Sequence, residues 1–330
     1  MATEWIEISA TTDKRWRHFL HEVPVVPFSW DDRFLTVVNK VFHYQPYRVL
    51  LMENEQPRVG GVFLSRQRMG QRYTTAPFFA FYLPIITTDP SWVKRFNDLD
   101  IFLQRLEDVF QSVECVQLPG GSLCLPFVWR QWQVTVQASG VLPIHDPTAT
   151  LQAMDAEERR LVRRAMENHR LIPGAVEDPT DFYQLMQAVY QRHGTSPPFS
   201  RKRFVQLVQG LTESGLGKTL GVWSDKQLLA ATLVIPYGNT LYGISLARQI
   251  TTAGSQAALK LIWYLVEHFS REGLEWYDLG GLDVPSIAHF KLKLGALPKT
   301  VFRCRFIKNC RSHILYHLAS FKNKTLRRFW

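Results

Sequence analysis

The chain is poor in cysteine, lacks long apolar runs and, toward its end, contains no acid. Its four cysteines, Cys115, Cys124, Cys304 and Cys310, form no C-x-x-C pair and are few for 330 residues, which excludes a disulfide framework or a cysteine-built structural zinc site. No metal site is expected. No window approaches the roughly 18 consecutive apolar residues of a membrane span. The opening M-A-T-E-W-I-E has neither the basic region nor the apolar core of a secretion signal, so a cytoplasmic protein is expected. There is no low-complexity segment, and with 46% hydrophobic and 13% aromatic residues the composition suits two well-filled globular domains. The missing acid says most about partners. After Asp283 there is no Asp or Glu, while eleven Lys and Arg follow, from Lys291 to Arg328. With 39 basic and 29 acidic residues in all, positions 1–283 hold 39 − 11 = 28 bases against 29 acids, so the whole excess of +10 lies at the C-terminus. Such a segment attracts phosphates, nucleic acid or anionic lipid head groups.

The pattern along the chain repeats. Helical spacing over 5–20 and 31–42, separated by Pro24 and Pro27, predicts two opening helices. Three strands follow in a meander, 47–51, 59–64 and 78–86, with turns at 53–55 and 69–71, then a helix over 92–113 and the run V-Q-L-P-G-G ending at Gly121. The same order recurs as strands 220–223, 228–235 and 241–246, turns at 224–226 and 237–239, a helix over 255–272, and Y-D-L-G-G ending at Gly281. The offsets are 171 from Gln56 to Gln227, 168 from Gly70 to Gly238 and 160 from Gly121 to Gly281. Two copies of one α/β unit with a mixed sheet are therefore expected, a first domain over 1–145 and a second over 146–308, joined by the proline-containing stretch 142–150. A basic amphipathic helix over 309–330 completes the chain, with Ile314, Leu315, Leu318 and Phe321 at helical spacing.

The segment 274–298, L-E-W-Y-D-L-G-G-L-D-V-P-S-I-A-H-F-K-L-K-L-G-A-L-P, reads as a strand, a Gly-Gly turn and a helix. Asp283 is placed to cap that helix, Pro285 suits its first turn, and Gly295 the residue past its end. Ligands in α/β sheets bind beyond the carboxyl ends of strands, which marks this turn as a candidate site. At 100° per residue Ile287, Phe290 and Leu294 share one face, Lys291 stands at its edge and His289 lies opposite. A lysine in that position either extends to water or meets an anion. Phe290 reads first as core and second as a contact to an acceptor. Asp278, at the strand end, could receive a proton, orient an amine or cap the turn. His193, in a loop, is a further possible base.

With these elements placed, the chain resembles the Fem-type branch of the GNAT acyltransferases, whose members carry two tandem GNAT-like domains. The resemblance rests on R-R-L-V-R-R-A-M-E-N-H-R-L at 159–171, F-Y-Q-L-M-Q-A-V-Y-Q-R-H-G-T-S-P at 182–197, and above all Y-D-L-G-G followed by H-F-K-L-K-L-G-A-L-P. It implies N-acyl or aminoacyl transfer from acyl-CoA or aminoacyl-tRNA, used as substrates and not as tightly held cofactors, to an amine-bearing acceptor. Related short forms are associated with cell-envelope and exopolysaccharide systems, so a lipid- or saccharide-linked acceptor is expected. It further implies an active site in the second domain with Lys291 and Asp278 in catalytic roles. The loop holding Arg248, Gln249, Gly254 and Ser255 would bind the donor's phosphates, although Gln249 stands five residues before Gly254, off the usual spacing. Arg192 would bind the acceptor, with Phe290 beside it. The segment 309–330 could meet tRNA or an anionic surface at the inner face of the membrane. The rival expectation is a non-catalytic scaffold that kept the fold and recruits a polysaccharide or lipid-linked intermediate.

Overall fold

The structure is a computed structural model that describes residues 3–68, 70–121, 124–192 and 194–308. The expected helix over 309–330 and His193 lie outside the described residues. The described residues fold into two compact units, one built from 3–137 and 300–308, the other from Ala138–Lys299.

The first unit contains β1 (Thr3–Ile8), α1 (Lys14–Glu22), α2 (Asp32–Phe42), β2 (Gln45–Glu53), β3 (Gln56–Arg68), β4 (Gln71–Thr75), the short β5 (Ile85–Thr87), α3 (Trp92–Val109), β6 (Ser112–Val116) and α4 (Leu125–Trp129). Within β7 (Gln133–Pro143) the chain passes into the second unit, which holds α5 (Pro147–Ala153), α6 (Ala156–Glu167), β8 (Ile172–Ala175), α7 (Pro179–Arg192), α8 (Arg201–Glu213), β9 (Lys218–Ser224), β10 (Gln227–Tyr237), β11 (Thr240–Arg248), α9 (Thr252–Arg271), β12 (Trp276–Gly281) and α10 (Pro285–Lys293). The chain returns to the first unit within β13 (Leu297–Ile307).

Each unit lays out its strands in the same sequence, β1-β2-β3-β4-β6-β13 in the first and β8-β9-β10-β11-β12-β7 in the second. One parallel pair occurs at the same place in both, β4 with β6 and β11 with β12. The turns repeat as well. The hairpin at Asn54 and Glu55 has φ of 49° and 63°, that at Asp225 and Lys226 49° and 67°, and Gly120 and Gly280 take 76° and 78°. Two consecutive left-handed residues make a two-residue turn whose twist suits an antiparallel pair, so each meander begins with the same device.

Three sequence expectations differ from the structure. Residues 5–20 are not one helix. Thr3–Ile8 pairs antiparallel with β2, and α1 starts only after Asp13, whose carboxylate caps Arg15 N. Trp5 packs against Phe102 in the core, with ring centroids 5.0 Å apart, an apolar partner that helical spacing alone does not reveal. The third strand of the first meander is Gln71–Thr75, not the apolar run 78–86, because Pro77 and Pro84 break that run into a 3-10 turn at Phe78–Ala80 and the three-residue β5. The stretch 142–150 does not link the units. It ends β7 and opens α5 inside the second unit, where Asp146 caps Thr148 N and Ala149 N.

β13 is fixed in the first unit by charge as well as by its ladder with β6. Glu114 accepts from Arg303 Nη1 and Arg305 Nη2, each at 2.9 Å. Burial raises this carboxyl, but the two guanidiniums outweigh it and hold it below its ordinary value. Removing the carboxylate strands two partly buried cations. Glu114→Ala is therefore expected to cost about 2 kcal/mol in urea unfolding, a figure reduced for partial solvent screening.

The second unit buries α9 against its sheet. The helix is capped by Thr251 and presents Ala257, Leu261, Leu265, Val266 and Phe269 to a core shared with Leu142, Val222, Val234 and Tyr277. Packing of this face sets the position of the α9 N-terminus relative to the ends of β11 and β12.

Candidate active site

β11 and β12 are hydrogen-bonded to each other over only three pairs, Thr240–Trp276, Leu241–Tyr277 and Tyr242–Asp278. Immediately beyond, β11 shifts register against β10 opposite Leu233/Val234, and β12 shifts against β7 after Asp278. The two parallel strands thus part at their carboxyl ends, where an α/β sheet offers unpaired backbone groups to a ligand.

Asp278 stands at this fork and is buried. Its Oδ1 accepts from Ser139 Oγ at 2.6 Å and from Gly280 N at 2.8 Å. The second bond is the turn cap that the sequence allows. Gly280 takes φ of 78°, a left-handed conformation that glycine adopts without the Cβ penalty. Tyr242 and Tyr277 sit beside the carboxylate, and burial first, then the charge of Asp278, raises both phenols well above their ordinary value.

Lys291 reaches back from α10 to the same turn. Its Nζ donates to Gly280 O at 3.1 Å and to Gly281 O at 2.8 Å. Burial lowers the ammonium from 10.5 to about 8, while Asp278 and Asp283 act in the opposite direction. An ammonium carries three donors, so these two bonds leave one N–H for another acceptor. α10 begins with Val284 as N-cap and Pro285 in its first turn, and it ends before Gly295 at φ of 88°. The expected cap by Asp283 is not made, since no side-chain bond caps this helix. Asp283 instead contributes negative charge near Lys291. His289 is exposed. Phe290 packs against the core of the second unit, the first of its two expected readings.

The second group of expected residues lies where β11 meets α9. Arg248 Nη1 donates to Gln249 O at 3.0 Å. Burial, followed by the charge of Arg192, lowers the Arg248 guanidinium. The ends of β11 and α7 thus bring two cations into mutual range, an arrangement that favours an anion between or beside them. Gln249 turns inward, donating Nε2 to Leu228 O at 3.0 Å and its backbone N to Leu229 O at 2.8 Å. Thr251 Oγ1 accepts from Gly254 N at 3.0 Å, and Ser255 Oγ donates to Thr251 O at 3.0 Å. A Cβ on Gly254 would lie 2.2 Å from Gln249 O, so the loop folds tightly onto the helix start. Gly254→Ala is expected to lower stability by about 1–3 kcal/mol, as overpacking against backbone does, with thermal unfolding as the measurement.

Sequence reasoning missed Ser139, Tyr242 and Thr251. Thr251 carries a local signal, T-T-A-G-S ahead of an apolar helix. Ser139 has none, because its partner lies 139 positions away.

Comparison with known proteins bears on the fold. Residues 149–292 match the family model of the acetyltransferase (GNAT) domain, a span that holds Arg192, Arg248, Asp278 and Lys291. Among solved structures, FemX superimposes with a TM-score of 0.68 at 11% identity, over 96% of this chain and 99% of FemX. A tandem GNAT protein from the clavulanic acid biosynthesis pathway gives 0.58 at 10% identity, over 93% and 99% of the two chains. A GNAT-family acetyltransferase from Colwellia psychrerythraea gives 0.55 at 11%, over 91% and 99%. No curated protein matches the sequence. These likenesses show the fold, that of tandem GNAT proteins such as FemX, with the stretch that matches the GNAT domain model lying in the second unit.

Proposed function

We propose that the second unit transfers an acyl or aminoacyl group from a phosphate-containing donor, acyl-CoA or aminoacyl-tRNA, to an amine. The observation that carries this reading is the cation of Lys291 held on the Gly280–Gly281 turn at the parting of β11 and β12. The amine nitrogen attacks the donor carbonyl, the new C–N bond forms, and the thioester or ester bond breaks. The amine's proton leaves to solvent or with the departing thiol or hydroxyl. Negative charge grows on the carbonyl oxygen on the way, and the remaining N–H of Lys291 stabilises it. Asp278 is the positioning residue. It caps the turn whose carbonyls hold Lys291, and its charge favours the ammonium form. Arg192 and Arg248 bind the phosphates of the donor or of an anionic acceptor, aided by the start of α9. A lipid- or saccharide-linked amine in envelope or exopolysaccharide synthesis suits a chain whose last residues are basic, and the same residues could instead meet tRNA.

One observation favours a second reading, a scaffold that kept the fold. Gln249 and Ser255 use their side chains on the protein's own backbone, which leaves the donor loop with few polar groups to offer. Calorimetric titration with acyl-CoA and with charged tRNA separates the two readings. Binding of either, followed by label transfer to an amine, is the result expected of an enzyme. Binding of neither, together with retention on anionic vesicles, supports the scaffold.

A further inference from the structure

The first unit carries an aromatic ridge that neither its core nor the proposed chemistry uses. The apolar stripe of α3 runs Trp92, Phe96, Leu99, Leu103, Leu106, the spacing of one helical face. Leu99, Phe102, Leu103 and Leu106 are buried. The core ends there, and the same stripe continues into solvent through the first turn. Trp92 is 52% exposed and Trp129 of α4 58% exposed. The Phe96 ring joins them, with its centroid 6.1 Å from Trp92 and 5.6 Å, edge to face, from Trp129. Val93, Leu125 and Val128 are also exposed on these two helices. A contiguous apolar surface with two open indoles marks an interaction site and not scattered surface residues.

The charges around the ridge identify its occupant. Nearby carboxylates are already engaged. Asp89 pairs with Arg58 at 2.9 Å and caps Ser91 N at 2.8 Å. Arg130 takes both Asp100 and Glu107, at 3.2 and 2.8 Å. Asp98 is buried under the helix and not on the rim, and burial raises its carboxyl above the ordinary value. Lys94 approaches Asp89 only at 4.0 Å and is largely exposed, and the Arg95 guanidinium lies 5.1 Å over the Trp92 ring. The first turn of α3 thus holds two cations, Lys94 and Arg95, and no acid beside the exposed Trp92. One further cation reaches α3 from the end of β13. Lys308 Nζ donates to Glu107 O of α3 at 2.9 Å, eleven residues or about 16 Å along the helix from Phe96. Beyond it, positions 309–330 hold five Arg and Lys and no acid.

We propose that this ridge docks the protein on an anionic lipid surface, with Trp92, Phe96 and Trp129 at the level of the head groups and Lys94 and Arg95 against their phosphates. Indoles favour that boundary, since one end is apolar and the N–H is polar. Neighbouring cations add attraction to anionic lipid, and stable peripheral binding takes both contributions. The inference is independent of the transfer reaction and of the residues assigned to it.

Sedimentation of the full chain with phosphatidylcholine vesicles, with and without phosphatidylglycerol, tests the proposal. The wild type is expected to bind the phosphatidylglycerol vesicles, more weakly at high salt, and Trp92→Ser with Trp129→Ser to lose about tenfold or more per indole. Lys94→Ser with Arg95→Ser should weaken binding and flatten its salt dependence. A chain ending at Lys308 should bind less tightly but keep the loss on removing the tryptophans. Unchanged binding by the double tryptophan variant overturns the proposal, whether or not the chain ending at Lys308 still binds. So does a wild type that forms dimers in solution which the same variant dissolves, since the ridge would then hold a second copy. Circular dichroism of each variant should match the wild type. If the serine variant is misfolded, Trp92→Lys with Trp129→Lys replaces it, and unchanged binding by that pair has the same meaning.

Discussion

Lys291→Ala is expected to lower turnover by about two to three orders of magnitude, the range seen when one donor to a developing oxyanion is removed. Thermal unfolding should move by only a few degrees. The two effects separate because Gly281, one of the two residues whose carbonyls accept from Lys291 Nζ, is exposed and water can replace the ammonium there. Lys291→Arg keeps the charge and should retain part of the rate. The pH dependence gives a sharper test. If the proposed role of Lys291 needs its charged form, then with the ammonium lowered to about 8 the rate of the wild type should fall as pH rises through about 8. In the arginine variant that limb should vanish. Stability moves the other way. The folded value lies below the unfolded 10.5, so between about pH 8 and 10.5 the unfolded chain binds more protons and this residue's contribution to stability rises with pH. Below pH 8 both states hold the proton and the contribution is constant.

Asp278→Ala is expected to cost about 2–4 kcal/mol in chemical unfolding, because it leaves the buried Ser139 hydroxyl and the Gly280 N–H without their acceptor. The activity loss should exceed what unfolding explains at the assay temperature, since the Gly280–Gly281 turn no longer holds its shape under Lys291. Asp278→Asn separates the contributions. The amide oxygen can still accept from Ser139 and Gly280, so most stability returns. The negative charge that favours ammonium Lys291 does not return, and the alkaline limb of the rate profile should move to lower pH. A structural role confined to packing would leave that limb in place.

Much of the site could be read from local sequence because its parts are close along the chain. Y-D-L-G-G supplies the strand end and its left-handed glycine, and ten to fourteen residues later the helix returns Lys291 to the same turn. Gly295 and Pro285 mark the ends of that helix by rules that need no tertiary information. The duplication was visible because the turns before Gln56 and Gln227, the glycines 70 and 238, and the runs ending at Gly121 and Gly281 recur in one order at offsets of 171, 168 and 160, and Gly70 and Gly238 both take the positive φ that glycine adopts without a Cβ penalty. What stayed hidden depends on distant partners. Ser139 meets Asp278 only because β7 runs beside β12. Asp283 looked like a cap because the residue type fits, but the helix starts after Val284. β1 looked helical because Trp5, Ile6 and Ile8 satisfy both spacings over so short a run, and only pairing with β2 decides between them. In the loop between β11 and α9, Gln249 bonds Leu228 O on the neighbouring strand and Ser255 bonds Thr251 O one helical turn back, the first a partner that local sequence does not reveal.

The central claim is that the Gly280–Gly281 turn and Lys291 form the transfer site. Its most direct test is single-turnover transfer of a labelled group, from whichever of acyl-CoA and aminoacyl-tRNA binds, to an amine acceptor, in wild type and Lys291→Ala. Equal donor affinity is expected in the two proteins, with transfer slower by about two orders of magnitude or more in the variant. Transfer at the wild-type rate by Lys291→Ala would contradict it.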